Sequence, residues 1–150
     1  MDAREQLDSF IDKFTPDVAA LTRALLERMQ ARIPGAAILV YDNYNALAIG
    51  FGPNEKAGQA ILSLAVMPRW VTLCFLWGVR LSDPNKLLRG GGSRVRHVRL
   101  FDPDALDDPN IDALIGEALI KADVPIDPAR PQLLIIKSIS AKQRPRRPKD

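Results

Sequence analysis

The chain has one cysteine, one histidine and no apolar run near the ~20 residues that span a bilayer. Each scarcity excludes something. With Cys74 alone there is no intrachain disulfide and no cysteine-built metal cluster, and its place inside an apolar run reads as a small buried hydrophobe. With His97 alone, and no serine or cysteine motif beside it, nucleophilic catalysis of the triad type has no support. The opening Met-Asp-Ala-Arg-Glu lacks the basic-then-apolar form of a secretory signal, so the expected address is the cytoplasm, with no membrane partner. Neither a Gly-x-x-x-x-Gly-Lys-Ser/Thr loop nor a Gly-x-Gly-x-x-Gly turn that opens a helix occurs. No catalytic residue, metal ligand or cofactor is indicated, and the balance leans away from an enzyme.

What is present suits one folded domain. A chain of 150 residues with 47% apolar and 26% charged residues is long enough for a single core and too apolar for disorder. The formal net charge of +3 is unevenly placed. Residues 141–150 hold Lys142, Arg144, Arg146, Arg147 and Lys149 against one acid, Asp150, so the rest of the chain is slightly acidic. Within that rest, Arg89, Arg94, Arg96 and Arg99 form a second basic cluster. The expected division is therefore a domain over 1–140 and a basic tail over 141–150, disordered in isolation because it holds two prolines and nothing to bury.

Along the chain, Asp2 with Glu5 is a capping-box pair, and Leu7, Phe10, Ile11 and Phe14 recur at helical spacing, which predicts a helix over 3–14. Thr15-Pro16-Asp17 starts a second helix whose stripe of Val18, Leu21, Leu25, Met29 and Ile33 stops at Pro34-Gly35. The period then changes to that of strands. Residues 36–41 and 47–51 read as a hairpin, with large Leu47, Ile49 and Phe51 opposite small Ala46, Ala48 and Gly50, a small face open to a closely packed helix. Residues 61–67 and 70–77, joined too tightly for a crossover, must be antiparallel neighbours; apolar on both parities, they are expected to be covered on both faces. Residues 94–100 put Val98 and Leu100 on one face with Arg94 and Arg96, and Val95, His97 and Arg99 on the other. Asp107-Asp108-Pro109 caps a helix with Ile111, Leu114, Ile115, Ala118, Leu119 and Ala122 on one stripe, and 133–139 reads as a final edge strand. The fold class is α+β, an antiparallel-rich sheet of about five to six strands packed with N-terminal and C-terminal helices. A homodimer burying one sheet face is also expected.

Leu81-Ser82-Asp83-Pro84, Leu87-Leu88-Arg89-Gly90-Gly91-Gly92 and Arg96-His97-Val98-Arg99-Leu100 together resemble the signature of the YdhG-like family, small bacterial α+β domains mostly without an assigned function. The resemblance covers roughly residues 15–122. It implies one antiparallel-rich sheet with terminal helices, and through some relatives a frataxin-like, iron-binding role. Two features depart from the family: the turn after the first strand is Asp42-Asn43-Tyr44-Asn45, and residues 133–148 extend beyond the shared core.

Two surfaces invite a ligand. The first is Arg89, Gly91, Gly92, Ser93, Arg94, Arg96 and His97, where flexible backbone and arginine forks suit an anion, either a small molecule or an acidic protein. The second is Tyr41, Asp42, Asn43 and Tyr44, where two tyrosines at a hairpin tip could stack on a planar ligand or anchor a partner. The acids Asp102, Asp104, Asp107 and Asp108 do not follow calcium-loop spacing, and the last two have a capping role. An iron site would rest on these or on Asp8, Asp12 and Asp17. The tail offers nucleic acid a salt-sensitive electrostatic handle without aromatic residues for base stacking.

Overall fold

The structure, a computed structural model, describes residues 1–149. Three helices and six strands follow the order α1 (Ala3–Ile11), α2 (Pro16–Arg32), β1 (Ala37–Asp42), β2 (Leu47–Gly52), β3 (Leu62–Val66), β4 (Val71–Phe75), β5 (Arg96–Leu100), α3 (Pro109–Ile120) and β6 (Leu134–Ile139). The helices begin where their caps direct. Asp2 accepts from the Glu5 amide and Glu5 answers on the Asp2 amide, Thr15 accepts from Val18, and Asp108 accepts from Asn110. Helix α1 stops three residues short of the predicted end. Thr15 precedes a proline and takes an extended conformation, ψ 155°, and the chain tightens through Lys13 N–H to Phe10 and Phe14 N–H to Ile11. Phe14 nevertheless remains in the core, 1% exposed.

The sheet order is β5-β4-β3-β2-β1-β6. The first five strands form an antiparallel meander, and β6 returns to lie parallel to β1 at the far edge. The α+β class and the edge position of β6 agree with the sequence reading. Lys137, at the β-bulge between Val40 and Tyr41, donates to the carbonyl of Glu55.

Register decides which face meets the helices. Ile38, Val40, Leu47, Ile49, Phe51, Leu62, Leu64, Val66, Val71, Leu73, Phe75 and Leu100 share one parity and join Leu7, Phe14, Leu25, Met29, Leu114 and Ile115 in one core. The small-residue face of β2 was expected to receive a helix, and the opposite happens. Helices cover the face carrying Leu47, Ile49 and Phe51, because burying large side chains removes far more apolar area from water, at roughly 25 cal/mol per Å². The second face of β3 and β4, expected to be covered by loops or a partner, is covered unevenly: Ser63, Ala65 and Cys74 are half-buried and Thr72 is buried.

The tail also departs from its prediction. Residues 141–149 fold back over the end of the sheet, with Arg146 only 6% exposed. Its Nη2 lies 2.9 Å from Oδ1 of Asp42, which is fully buried, and also donates to the carbonyl of Asn43. Lys13 reaches the other carboxylate oxygen at 2.7 Å. Gln143 donates to the carbonyls of Asp42 and Ser140 and accepts from Lys13, while Arg147 donates to the carbonyl of Lys13. Composition suggested disorder because cations bury nothing by themselves; a buried carboxylate changes that, since each charge supplies the other's partner.

Candidate functional site

A pocket opens past the end of β4, lined by Trp77 and Arg80. After Phe75 the chain passes through Leu76, whose amide donates to Ile61, into a single 3₁₀ turn over Gly78–Arg80. Gly78 is required by close approach. A Cβ at that position would lie 2.4 Å from Cβ of Arg96, so only glycine lets the start of β5 rest on the turn. The amide of Val79 bonds the carbonyl of Arg94 and fixes the two segments together.

The loop between is held by Asp83. This residue takes a positive φ of 44°, and its carboxylate accepts the amides of Leu87 at 2.9 Å and Leu88 at 3.0 Å. Two backbone bonds then pair Arg89 with His97, and Gly90, at φ 116°, turns the chain outward. Gly91 and Gly92 have open space around them. Arg96 ties the loop by donating from Nη1 to the carbonyls of Gly92 and Val95, both at 2.8 Å.

The predicted anion-binding residues therefore divide by role. Arg96 holds the loop, His97 and Arg89 close its neck, and Gly91, Gly92 and Ser93 are its exposed tip. Arg94 lies over the Trp77 ring, its guanidinium carbon 5.0 Å from the centroid, and Arg80 joins it at 4.1 Å. Arg99 is on the helix-free face over Trp70, at 3.8 Å. The alternation read over residues 94–100 holds only from Arg96, where the strand begins: Val98 and Leu100 face the core, and His97 and Arg99 face away from it, while Arg94 and Val95 precede the strand.

Clustering of arginines that hold no carboxylate sets this margin apart; Arg4, Arg69, Arg130, Arg144 and Arg147 also hold none among the described residues but are scattered or lie in the tail. Arg23, Arg28, Arg32, Arg80 and Arg146 each hold a carboxylate. Among the described residues, Arg89, Arg94, Arg96 and Arg99 hold none. Four arginines within eleven positions thus present positive charge with no internal acid to neutralise it.

Trp77 shares a pocket with residues of the 58–61 segment and of the end of α3. Its walls are chiefly apolar, from Ile61, Phe75, Trp77, Leu81, Ala118 and Val124. Arg80 and Lys121 stand among its lining residues, Arg80 paired with Asp123 at 3.2 Å. Lys121 donates to Glu117 and to the carbonyl of Arg80. Glu117 also accepts from the amide and hydroxyl of Ser82, so one carboxylate fastens the loop to α3. The Lys121 bond and the Ser82 donors hold its carboxyl below the usual range, outweighing desolvation.

The other expected surface does not assemble. Asp42 faces the core, where burial alone would raise its carboxyl; hydrogen bonds from Lys13, Gln143 and Arg146 and the Lys13 charge hold it low instead. Tyr41 points to the opposite face, its phenol pushed up by burial. Asn43 closes the turn by bonding Ala46, and Tyr44, 49% exposed, lies under Arg144. The four residues are not one patch, because alternation splits Tyr41 from Asp42 and the tail covers the latter.

Four of the seven acids considered for iron are held by arginine. Arg23 binds Asp8 and Asp12, and Arg28 binds Asp104 and Asp107. Among the described residues, no three His, Cys, Asp or Glu side chains are grouped to hold a metal ion. Burial pushes the Cys74 thiol up, partly offset by a hydrogen bond with Ser63. Among the described residues, no helix is long and apolar enough to cross a membrane.

No protein-family model, curated protein or solved structure matches the chain. Fold and site define an α+β domain with three helices on one face of a six-stranded mixed sheet and a chiefly apolar pocket with Arg80 and Lys121 in its lining. The resemblance to the YdhG-like family rests on the residues of the 81–100 segment.

Trp77 and Arg80 escaped the sequence reading. Their signal was faint: a tryptophan followed by Gly-Val-Arg just past a strand, which gains meaning only when residues 58–61, 94 and 118–124 converge on it.

Proposed function

We propose that the chain is a non-catalytic binding domain for an anionic small molecule, held at the margin formed by Arg80, Arg89, Arg94 and Arg96 around Trp77. One observation carries this reading: Arg89, Arg94, Arg96 and Arg99 are clustered in one short segment without a carboxylate partner among the described residues, while Arg23, Arg28, Arg32 and Arg146 are paired. Unpaired arginine forks beside open glycine backbone suit a carboxylate or phosphate, which they bind in bidentate fashion. Stacking on Trp77 orders the Arg80 and Arg94 side chains in advance, and less entropy is lost when they grip a ligand. An acidic protein segment would use the same forks. The nucleic-acid reading through the tail has weaker support, since Arg144, Arg146 and Arg147 are engaged with Tyr44, Asp42 and Lys13. An iron-binding role has only the family resemblance behind it.

The test is an amide chemical-shift titration of labelled protein with inorganic phosphate and a mononucleotide mixture, at two salt concentrations. Saturable shifts at Gly90–His97 are expected, and affinity should fall at least tenfold in the Arg94→Ala, Arg96→Ala double variant. Because Arg96 also braces the loop, Arg94→Gln alone serves as a second variant, with thermal unfolding as the control for folding. Unchanged affinity in both variants would overturn the reading.

A further inference from the structure

The arginines alone would accept any anion, but Arg80 lines a pocket whose walls favour something else, and Arg94 lies over the Trp77 ring of the same pocket. Ile61, Phe75, Leu81, Ala118 and Val124 offer apolar surface, and the indole of Trp77 faces this pocket while carrying the guanidinium groups of Arg80 and Arg94. An apolar recess with convergent cations at its rim is the arrangement expected of a site for an amphiphile, whose apolar part leaves water while its charge stays at the edge. Arg80 contributes to both parts: it lines the pocket and lies over the indole, and its partner Asp123 is exposed, so an incoming anion can replace that carboxylate at small cost.

We infer that the ligand is an amphiphilic anion: a carboxylate or phosphate monoester bearing one aromatic ring or a short alkyl chain, its apolar part beneath Trp77 and its acid group on Arg80 and Arg94. This rests on the arginine margin being an anion site. It adds an apolar moiety as the source of selectivity. Lys121 stays bonded to Glu117 and the Arg80 carbonyl, and so steadies the floor of the site while Arg80 and Arg94 take the charge.

Three probes separate the two levels of the proposal: inorganic phosphate, phenyl phosphate and benzyl alcohol, each titrated into the full chain with amide shifts as the readout. Phenyl phosphate is expected to bind about tenfold tighter than inorganic phosphate, the gain that burial of one ring face supplies. Its shifts should extend from Arg94–His97 to Ile61, Ala118 and Val124, whereas benzyl alcohol alone should bind weakly. Ala122→Leu, at a half-buried position on the pocket wall, should remove the tenfold preference and leave inorganic phosphate binding intact. Ala118→Leu is the second filling variant. Equal affinity for the two phosphates, with shifts confined to 90–97, would overturn the amphiphile inference and leave the anion margin standing. Binding of neither phosphate would overturn both. Phenyl phosphate preference that survives both filling variants would also overturn the placement of the ring.

Discussion

Replacing Arg146 by alanine is the most informative single perturbation of the fold. In the folded chain its guanidinium is almost wholly buried and pairs with a carboxylate that has no exposure at all, while its ring neighbour is Phe14. Removing one member of a buried ion pair usually costs 3–5 kcal/mol, because the charge left behind is unpaired. Here two features reduce the loss. Lys13 still pairs with Asp42 at 2.7 Å, and Nε of Arg146 is already buried without a partner, a cost that disappears with the side chain. The expected destabilisation is therefore about 3 kcal/mol, at the lower end of that range. For a domain of this size it corresponds to a fall in Tm of roughly 6–12 °C. Urea unfolding followed by circular dichroism measures it, with Lys142→Ala as a control expected to change stability by under about 0.5 kcal/mol. Amide exchange should speed up at Ser140 and Arg144, whose N–H groups bond Asp42 and Tyr44 only while the tail is docked. If Arg146→Ala is as mild as the control and those amides exchange at wild-type rates, the docked tail and the reasoning from buried charge are both wrong.

Two further outcomes follow from the same geometry. Asp42 has a folded-state pKa below its unfolded one, so its contribution is complete above the usual carboxylate range and is lost as pH falls through the folded value. Stability should thus be steady from pH 7 to about 5 and drop below about pH 4, and Asp42→Asn should flatten that acid limb in urea titrations at stepped pH. Gly78→Ala should cost about 1–3 kcal/mol and loosen β5, since the new methyl meets Arg96 at its Cβ and backbone nitrogen; amide exchange at Arg96 and Val98 reports it.

Local signals in this chain were legible, and long-range ones were not. The caps at Asp2, Thr15 and Asp108 act within three residues, so the helix starts could be read directly. The alternation at Val98 and Leu100 likewise needs only its own strand. Alternation in β2 showed that Leu47, Ile49 and Phe51 share a face but left open which face the helices would take; comparing side-chain area would have decided it. The tail was misjudged because the partner of Arg146 lies 104 positions earlier, and a carboxylate at a hairpin turn looks solvated until the strand's register turns it inward. The pocket was invisible for the same reason, being lined from four separate stretches of chain.

The parallel pairing of β6 with β1 has a consequence during synthesis. Strand β1 is made early, gains β2 at once through a short hairpin, and then keeps its other edge unpaired until residues 134–139 arrive. At ordinary elongation rates that interval is roughly 5–20 s. Throughout it the nascent chain offers Ile38, Leu39 and Val40 with free backbone groups beside them, a template any other extended chain could join. The last strand is thus also a closing cover, and the Arg146–Asp42 pair that forms just after it decides how firmly the cover stays shut.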